Sequence, residues 1–95
     1  MRRASRVDEN QAEIVKALRK AGATVRIITQ GEGIPDLLVG FKGETMLFEV
    51  KDGDKPPSAR TLTKMEQDFF HEWRGGICAI VESVDDALRI LEGVE

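Results

Sequence analysis

Two acidic residues and a lysine stand at the ends of two apolar segments near the middle of the chain. Asp36 leads into the apolar run 37–41, and Glu49 and Lys51 follow the apolar run 46–48. Buried strands rarely carry charged side chains unless those charges are paired or hold a metal ion. The pattern therefore predicts a site for a divalent cation, which in turn indicates phosphodiester chemistry.

A hairpin between the two segments would bring these charges together. Lys42-Gly43 can form its two-residue turn, since glycine tolerates positive φ. Counting back from that turn puts Asp36 opposite Glu49, with Cβ atoms roughly 4.5–5.5 Å apart, and Lys51 shares their face. Mg²⁺ binds through one or two carboxylates with water and substrate phosphate, and would relieve the repulsion between the two acids. A register slip of one residue would separate the pair.

Length and composition indicate a single domain with a modest core. The chain has 95 residues, of which 41% are hydrophobic and 33% charged. No apolar run approaches the roughly 20 residues that a membrane-spanning helix needs. The single cysteine, Cys78, cannot form an internal disulfide, so we expect a reducing compartment such as the cytoplasm. Residues 1–7 are predicted to be a flexible basic N-terminus.

The net charge of −3 is unusual for a protein that binds nucleic acid, but the charge is unevenly distributed. Residues 82–95 hold five acidic side chains and one basic one, which leaves 13 basic and 12 acidic side chains over residues 1–81. The stretch 55–64 contains three basic residues and no acidic one, namely Lys55, Arg60 and Lys64. The sequence thus predicts a local basic patch beside the acidic site. A solvated surface explains the same charges on composition alone.

Hydrophobic periodicity and helix-start signals predict the order α-β-β-β-α-β-α, in a single α/β domain with helices on both faces of a mixed sheet. A capping box of Asp8 and Gln11 should open the first helix, and one of Thr63 and Glu66 the second. Three apolar residues of the second helix form a stripe at the spacing of core positions: Met65, Phe69 and Trp73. Ser83 should cap the last helix.

At this point the residues resemble a known family. Gly33-Ile34-Pro35-Asp36 and Glu49-Val50-Lys51 match the P-D…(D/E)-x-K pattern of the restriction-endonuclease-like nucleases. The core of that superfamily has the order α-β-β-β-α-β, which the first six predicted elements share. More narrowly, residues 8–91 resemble stand-alone VRR-NUC domains, the virus-type replication–repair nuclease modules.

The resemblance implies a role for each matched residue. Asp36, Glu49 and the backbone carbonyl of Val50 would ligate the metal. Lys51 would orient or help to deprotonate the attacking water. Two helix residues would complete the site: Glu13 as a further metal ligand, directly or through water, and Gln67 as a lining residue.

Other interpretations of these residues stay open. Glu9 lies one turn before Glu13 on nearly the same helix face and competes with it. Gln67 points away from the apolar stripe, so a plain surface position explains it equally well. Glu49 and Lys51 could also form a simple ion pair.

The resemblance also implies a function. We expect a Mg²⁺-dependent endodeoxyribonuclease, with Mn²⁺ as a substitute, acting on branched DNA such as Holliday-type junctions or flaps. It would work as a homodimer in bacterial or phage-infected cytosol, and Lys55, Arg60 and Lys64 would contact the DNA backbone. A non-catalytic DNA-binding module or a protein-interaction module is the alternative.

Overall fold

The computed structural model describes residues 8–29 and 31–95, which fold in the predicted order α-β-β-β-α-β-α. The predicted flexible N-terminus, residues 1–7, lies outside the described residues. The elements are α1 (Gln11–Lys20), β1 (Thr24–Ile27), β2 (Leu37–Phe41), β3 (Glu44–Val50), a 3₁₀ turn (Pro57–Ala59), α2 (Lys64–Glu72), β4 (Cys78–Val81) and α3 (Val84–Glu92).

The strands form one mixed sheet in the order β1-β2-β3-β4. The first three strands are antiparallel neighbours, and β4 runs parallel to β3. Phe41 pairs with Glu44 across the hairpin turn, and both turn residues have positive φ, 52° at Lys42 and 80° at Gly43. Such a turn matches the right-handed twist of the flanking strands. The predicted turn and register are therefore confirmed.

The hydrophobic core lies between one face of the sheet and the helices α1 and α3. Helix α1 contributes residues at helical spacing, and β2 and β3 contribute alternate residues to the core face. Residues 46–50 of β3 are buried on both faces of the sheet. The largest fully buried side chains include Ile14, Leu18, Leu37, Val39, Met46, Phe48, Val50 and Val81. This core fixes β3, which carries Glu49 near its end and is followed directly by Lys51.

The opposite face of the sheet is covered only in part, so the expectation of helices over both faces is met incompletely. Leu38 and Ile80, which project from this face, are each 39% exposed. Helix α2 lies at one end of the face and has no buried residue. Its apolar stripe does not enter the core as predicted, since Met65 is 53% exposed and Phe69 stacks instead on Trp73, with ring centroids 5.4 Å apart.

The helix starts follow the predicted signals in two cases of three. Thr63 and Glu66 form a reciprocal capping box at α2, and Ser83 caps α3 by accepting the Asp86 N–H. The box predicted at Asp8 is wrong, because α1 begins after Asn10 and has no side-chain cap. Asn10 instead donates to the backbone carbonyls of Lys51 and Glu82, both at 3.1 Å. No helix in residues 8–29 and 31–95 is long and apolar enough to span a membrane.

Candidate active site

The β2–β3 hairpin sets Asp36 beside the end of β3. Asp36 directly precedes β2, and the register of the ladder, with Leu37 opposite Phe48, continues to Asp36 opposite Glu49. The Val50 backbone N–H donates to Asp36 Oδ2 at 2.8 Å, and the Thr29 hydroxyl donates to Oδ1 at 3.2 Å. Burial raises the pKa of Asp36, although these hydrogen bonds oppose the increase.

Glu49 is almost fully enclosed, with 3% of its surface exposed. Its Oε2 lies 3.5 Å from Lys51 Nζ, whereas its buried Oε1 has no hydrogen-bond partner among the described residues. Burial, together with the negative charges of Asp36 and Glu66, raises the pKa of Glu49 to about 9. An unpartnered buried carboxylate oxygen beside a second carboxylate requires either a proton or a cation.

Lys51 lies between two carboxylates. Its Nζ donates to Glu66 Oε1 at 3.1 Å, in addition to its 3.5 Å approach to Glu49, and only 12% of its side chain is exposed. Burial alone would lower the pKa of Lys51, but the two carboxylates outweigh it and raise that pKa. The lysine is therefore fully charged at neutral pH and held in a fixed direction.

Glu66 belongs to this site although its sequence signal indicated only a helix cap. Its side chain is 17% exposed and accepts from both Lys51 Nζ and the Thr63 backbone N–H, the latter at 2.9 Å. Burial would raise the pKa of Glu66, but the bonds from Thr63 and Lys51 outweigh that effect and lower it. Nothing in the sequence around a capping glutamate indicates that it pairs with a distant lysine, so sequence reasoning missed Glu66.

These groups line an open cleft of about 250 Å³ at the end of the sheet. Asp8, which precedes α1, also lines it and lies 3.8 Å from Lys55 Nζ through its Oδ1. Among residues 8–29 and 31–95, no three His, Cys, Asp or Glu side chains are arranged to hold a metal ion together. Asp36 and the orphaned oxygen of Glu49 nevertheless fit a cation such as Mg²⁺, which takes one or two carboxylates and completes its shell with water.

Neither helix residue predicted for the site is brought into the cleft. Glu13 is exposed on α1 and does not line the cleft, and the competing Glu9 is also exposed. Gln67 is exposed as well, and its amide donates to the Leu62 carbonyl at 3.1 Å. The structure thus gives these two assignments no support, and Asp8 and Glu66 line the cleft instead.

The three basic residues predicted to contact DNA each face an acid. Arg60 reaches Glu82 at 3.2 Å and donates to the Lys55 carbonyl at 2.8 Å, so it folds the loop onto the body of the domain. Lys64 pairs with Asp68 one turn along α2, yet its side chain remains 81% exposed. Of the three, Lys64 is the most accessible to a phosphate.

Comparison with known proteins gives one structural match. No family model and no curated protein matches the sequence. A solved structure described as a VRR_NUC domain superposes with a TM-score of 0.60 and 22% sequence identity, over 90% of this chain and 98% of that one. At this identity the likeness concerns the fold, and the chain has the fold of a VRR_NUC domain, as its sequence motifs predicted.

Proposed function

We propose that this protein is a metal-dependent nuclease that hydrolyses phosphodiester bonds in DNA. One observation carries the proposal: Asp36 and a buried Glu49 oxygen that has no hydrogen-bond partner within the described part of the chain lie together at the end of a hairpin. Lys51 Nζ lies 3.5 Å from the same glutamate. A purely structural site would not need a buried carboxylate beside a second, half-buried one, because desolvation of such charges is costly. The fold of a VRR_NUC domain supports the same conclusion.

The residues divide the work between holding a cation and stabilising charge. Asp36 and Glu49 would hold Mg²⁺ or Mn²⁺, and the backbone carbonyl of Val50 remains a proposed third ligand. Such an ion would supply Lewis-acid stabilisation of the scissile phosphate and favour deprotonation of the attacking water. Lys51 presents a fixed ammonium to the same cleft, where it would orient that water and offset charge that develops on the phosphate.

Branched DNA, such as Holliday-type junctions or flaps, is the proposed substrate. The described residues contain one cleft with these acids, so one chain would cut one strand, and symmetric cleavage of a junction would require a homodimer. A cytoplasmic location would suit a chain whose cysteine, Cys78, is free.

A cleavage assay on a panel of DNA structures tests the proposal. Single strands, duplexes, flaps and four-way junctions of matched sequence are incubated with Mg²⁺, Mn²⁺ or EDTA. Wild-type protein should cut at least one substrate with metal and none with EDTA, and Asp36→Asn and Glu49→Gln should be inactive. Wild type that binds these DNAs but never cuts them would instead favour a non-catalytic DNA-binding module.

A further inference from the structure

We propose that Glu66 is a positioning residue that aims the Lys51 ammonium into the cleft. The inference rests on the proposed nuclease function and deepens it. Lysine carries its charge on a flexible four-carbon stem, so its position must be imposed by a partner. Of the two carboxylates paired with that ammonium, Glu66 is the closer, at 3.1 Å compared with 3.5 Å for Glu49.

The carboxylate of Glu66 is itself held in place before it meets the lysine. Its Oε1 accepts the Thr63 backbone N–H at 2.9 Å, and its own backbone N–H donates to the Thr63 hydroxyl at 3.2 Å. This reciprocal capping box fixes the first turn of α2. The same oxygen that closes the box therefore receives the ammonium, so the start of α2 sets the place of Lys51.

The pairing geometry separates this role from that of a metal ligand. Glu66 Oε1 already takes two hydrogen bonds, whereas the unpartnered oxygen in the cleft belongs to Glu49. These contacts assign Glu66 Oε1 to Lys51, and the Mn²⁺ affinity of Glu66→Ala tests whether Glu66 also reaches the cation. Loss of Glu66 should slow the chemical step while metal binding and DNA affinity persist.

Four substitutions test the role. Glu66→Ala removes the carboxylate, and Glu66→Gln keeps an oxygen that can accept from both Thr63 and Lys51. Thr63→Ala breaks the other half of the capping box and leaves the carboxylate in place. Glu72→Gln, on an exposed position of the same helix, makes the same change of charge away from the cleft.

Single-turnover cleavage at saturating DNA, DNA affinity and Mn²⁺ affinity are measured for each protein. Glu66→Ala should cut on the order of 10- to 100-fold more slowly, the usual cost of a misplaced catalytic group. Its affinities for DNA and Mn²⁺ should be unchanged. Glu66→Gln should recover part of the rate, Thr63→Ala should fall between wild type and Glu66→Ala because the carboxylate is held less firmly, and Glu72→Gln should keep the wild-type rate.

A spectroscopic measurement gives a readout independent of activity. An ion-paired, largely buried ammonium exchanges its protons slowly, so the Lys51 ¹⁵Nζ signal should be visible by NMR in the metal-free wild type. It should vanish in Glu66→Ala and persist in Glu72→Gln.

The outcomes distinguish the inference from the function on which it rests. Wild type that cuts no DNA overturns the nuclease proposal itself. Active wild type with an equally fast or faster Glu66→Ala overturns only the positioning role. A loss of Mn²⁺ affinity in Glu66→Ala overturns it too, because Glu66 would then be a ligand.

Discussion

Val50 donates its backbone N–H to Asp36 Oδ2 at 2.8 Å, across the hairpin that joins β2 to β3. Val50 is 1% exposed, so no water can replace this acceptor easily. Asp36 therefore serves the fold and the proposed chemistry at once, and its substitution changes both unless the acceptor is preserved.

The two roles of Asp36 should separate in a pair of variants. Asp36→Ala leaves the buried Val50 N–H unpaired and should cost about 1–3 kcal/mol of unfolding free energy. Asp36→Asn can keep a carbonyl oxygen at that place and should remain close to wild type. Urea denaturation without metal measures both, with the exposed Asp54→Ala as the control, expected within about 0.5 kcal/mol of wild type. Equal destabilisation by Ala and Asn would refute the dual role.

A divalent cation should stabilise the folded protein. Filling the Asp36–Glu49 site at 100 times its dissociation constant adds about 2.7 kcal/mol, since the unfolded chain has no such site. Thermal scans with EDTA and with increasing Mn²⁺ should show a rising melting temperature for wild type. The melting temperature of Glu49→Gln should not rise with Mn²⁺, because the amide does not supply an anionic oxygen. A wild-type curve unaffected by saturating Mn²⁺ would exclude this geometry.

Lys51→Ala should abolish cleavage while the protein still binds metal. A protonated lysine is not a metal ligand, and its removal leaves Glu49 and Glu66 without their cation, so Mn²⁺ affinity should be equal or higher. Titration calorimetry of Mn²⁺ binding and single-turnover cleavage, both on the same preparation, check the two parts of this prediction. Cleavage within a few-fold of wild type would show that Lys51 takes no part in the transition state.

The metal-free protein should lose stability as the pH rises from about 5 to about 9. The folded pKa of Glu49 is about 9, above its ordinary value of 4.5, so the folded state keeps a proton that the unfolded chain releases in this window. The contribution of Glu49 to the free energy of unfolding is complete below pH 4.5 and is lost as the pH rises through the folded pKa. Chemical denaturation in EDTA at several pH values should show this slope for wild type and a smaller one for Glu49→Gln. Identical slopes would place the responsible group elsewhere.

The sequence predicted the hairpin and its acidic pair because the information there is local. Lys42-Gly43 sets the turn, and counting along two strands then fixes the register that brings Asp36 to Glu49. Glu66 could not be found in this way. Its spacing from Thr63 encodes a helix cap, and only the tertiary fold shows that the same oxygen meets Lys51.

Helical spacing gave a wrong prediction for the apolar stripe of α2 for a related reason. Met65, Phe69 and Trp73 recur as core residues do, yet periodicity reports one apolar face and not what covers it. In the structure α1 and α3 take the core face of the sheet, and α2 is left at the end of the other face. Glu13 illustrates the same limit, since a helix residue beside an apolar stripe need not face the site.

The DNA path can be located by comparing Lys64, whose side chain is exposed, with Arg60, which is half-buried and paired with Glu82. Lys64 is 81% exposed and its pair with Asp68 is a surface pair of little strength, so a phosphate can compete for it. Lys64→Gln should weaken binding to every DNA alike and reduce the salt dependence by about one unit of slope. Asp68→Asn should have the opposite effect on affinity, because it frees Lys64 and removes a negative charge.

Arg60 is a poor probe of the DNA path, because it forms an ion pair with Glu82 and donates a hydrogen bond to the Lys55 carbonyl. Arg60→Ala should therefore lower the melting temperature as well as any affinity for DNA, whereas Lys64→Gln should leave the melting temperature unchanged. Binding measured at several salt concentrations, beside thermal scans of each variant, separates the two effects. If Lys64→Gln keeps the wild-type slope, DNA does not pass the start of α2, and Arg2, Arg3 and Arg6 become the next residues to substitute.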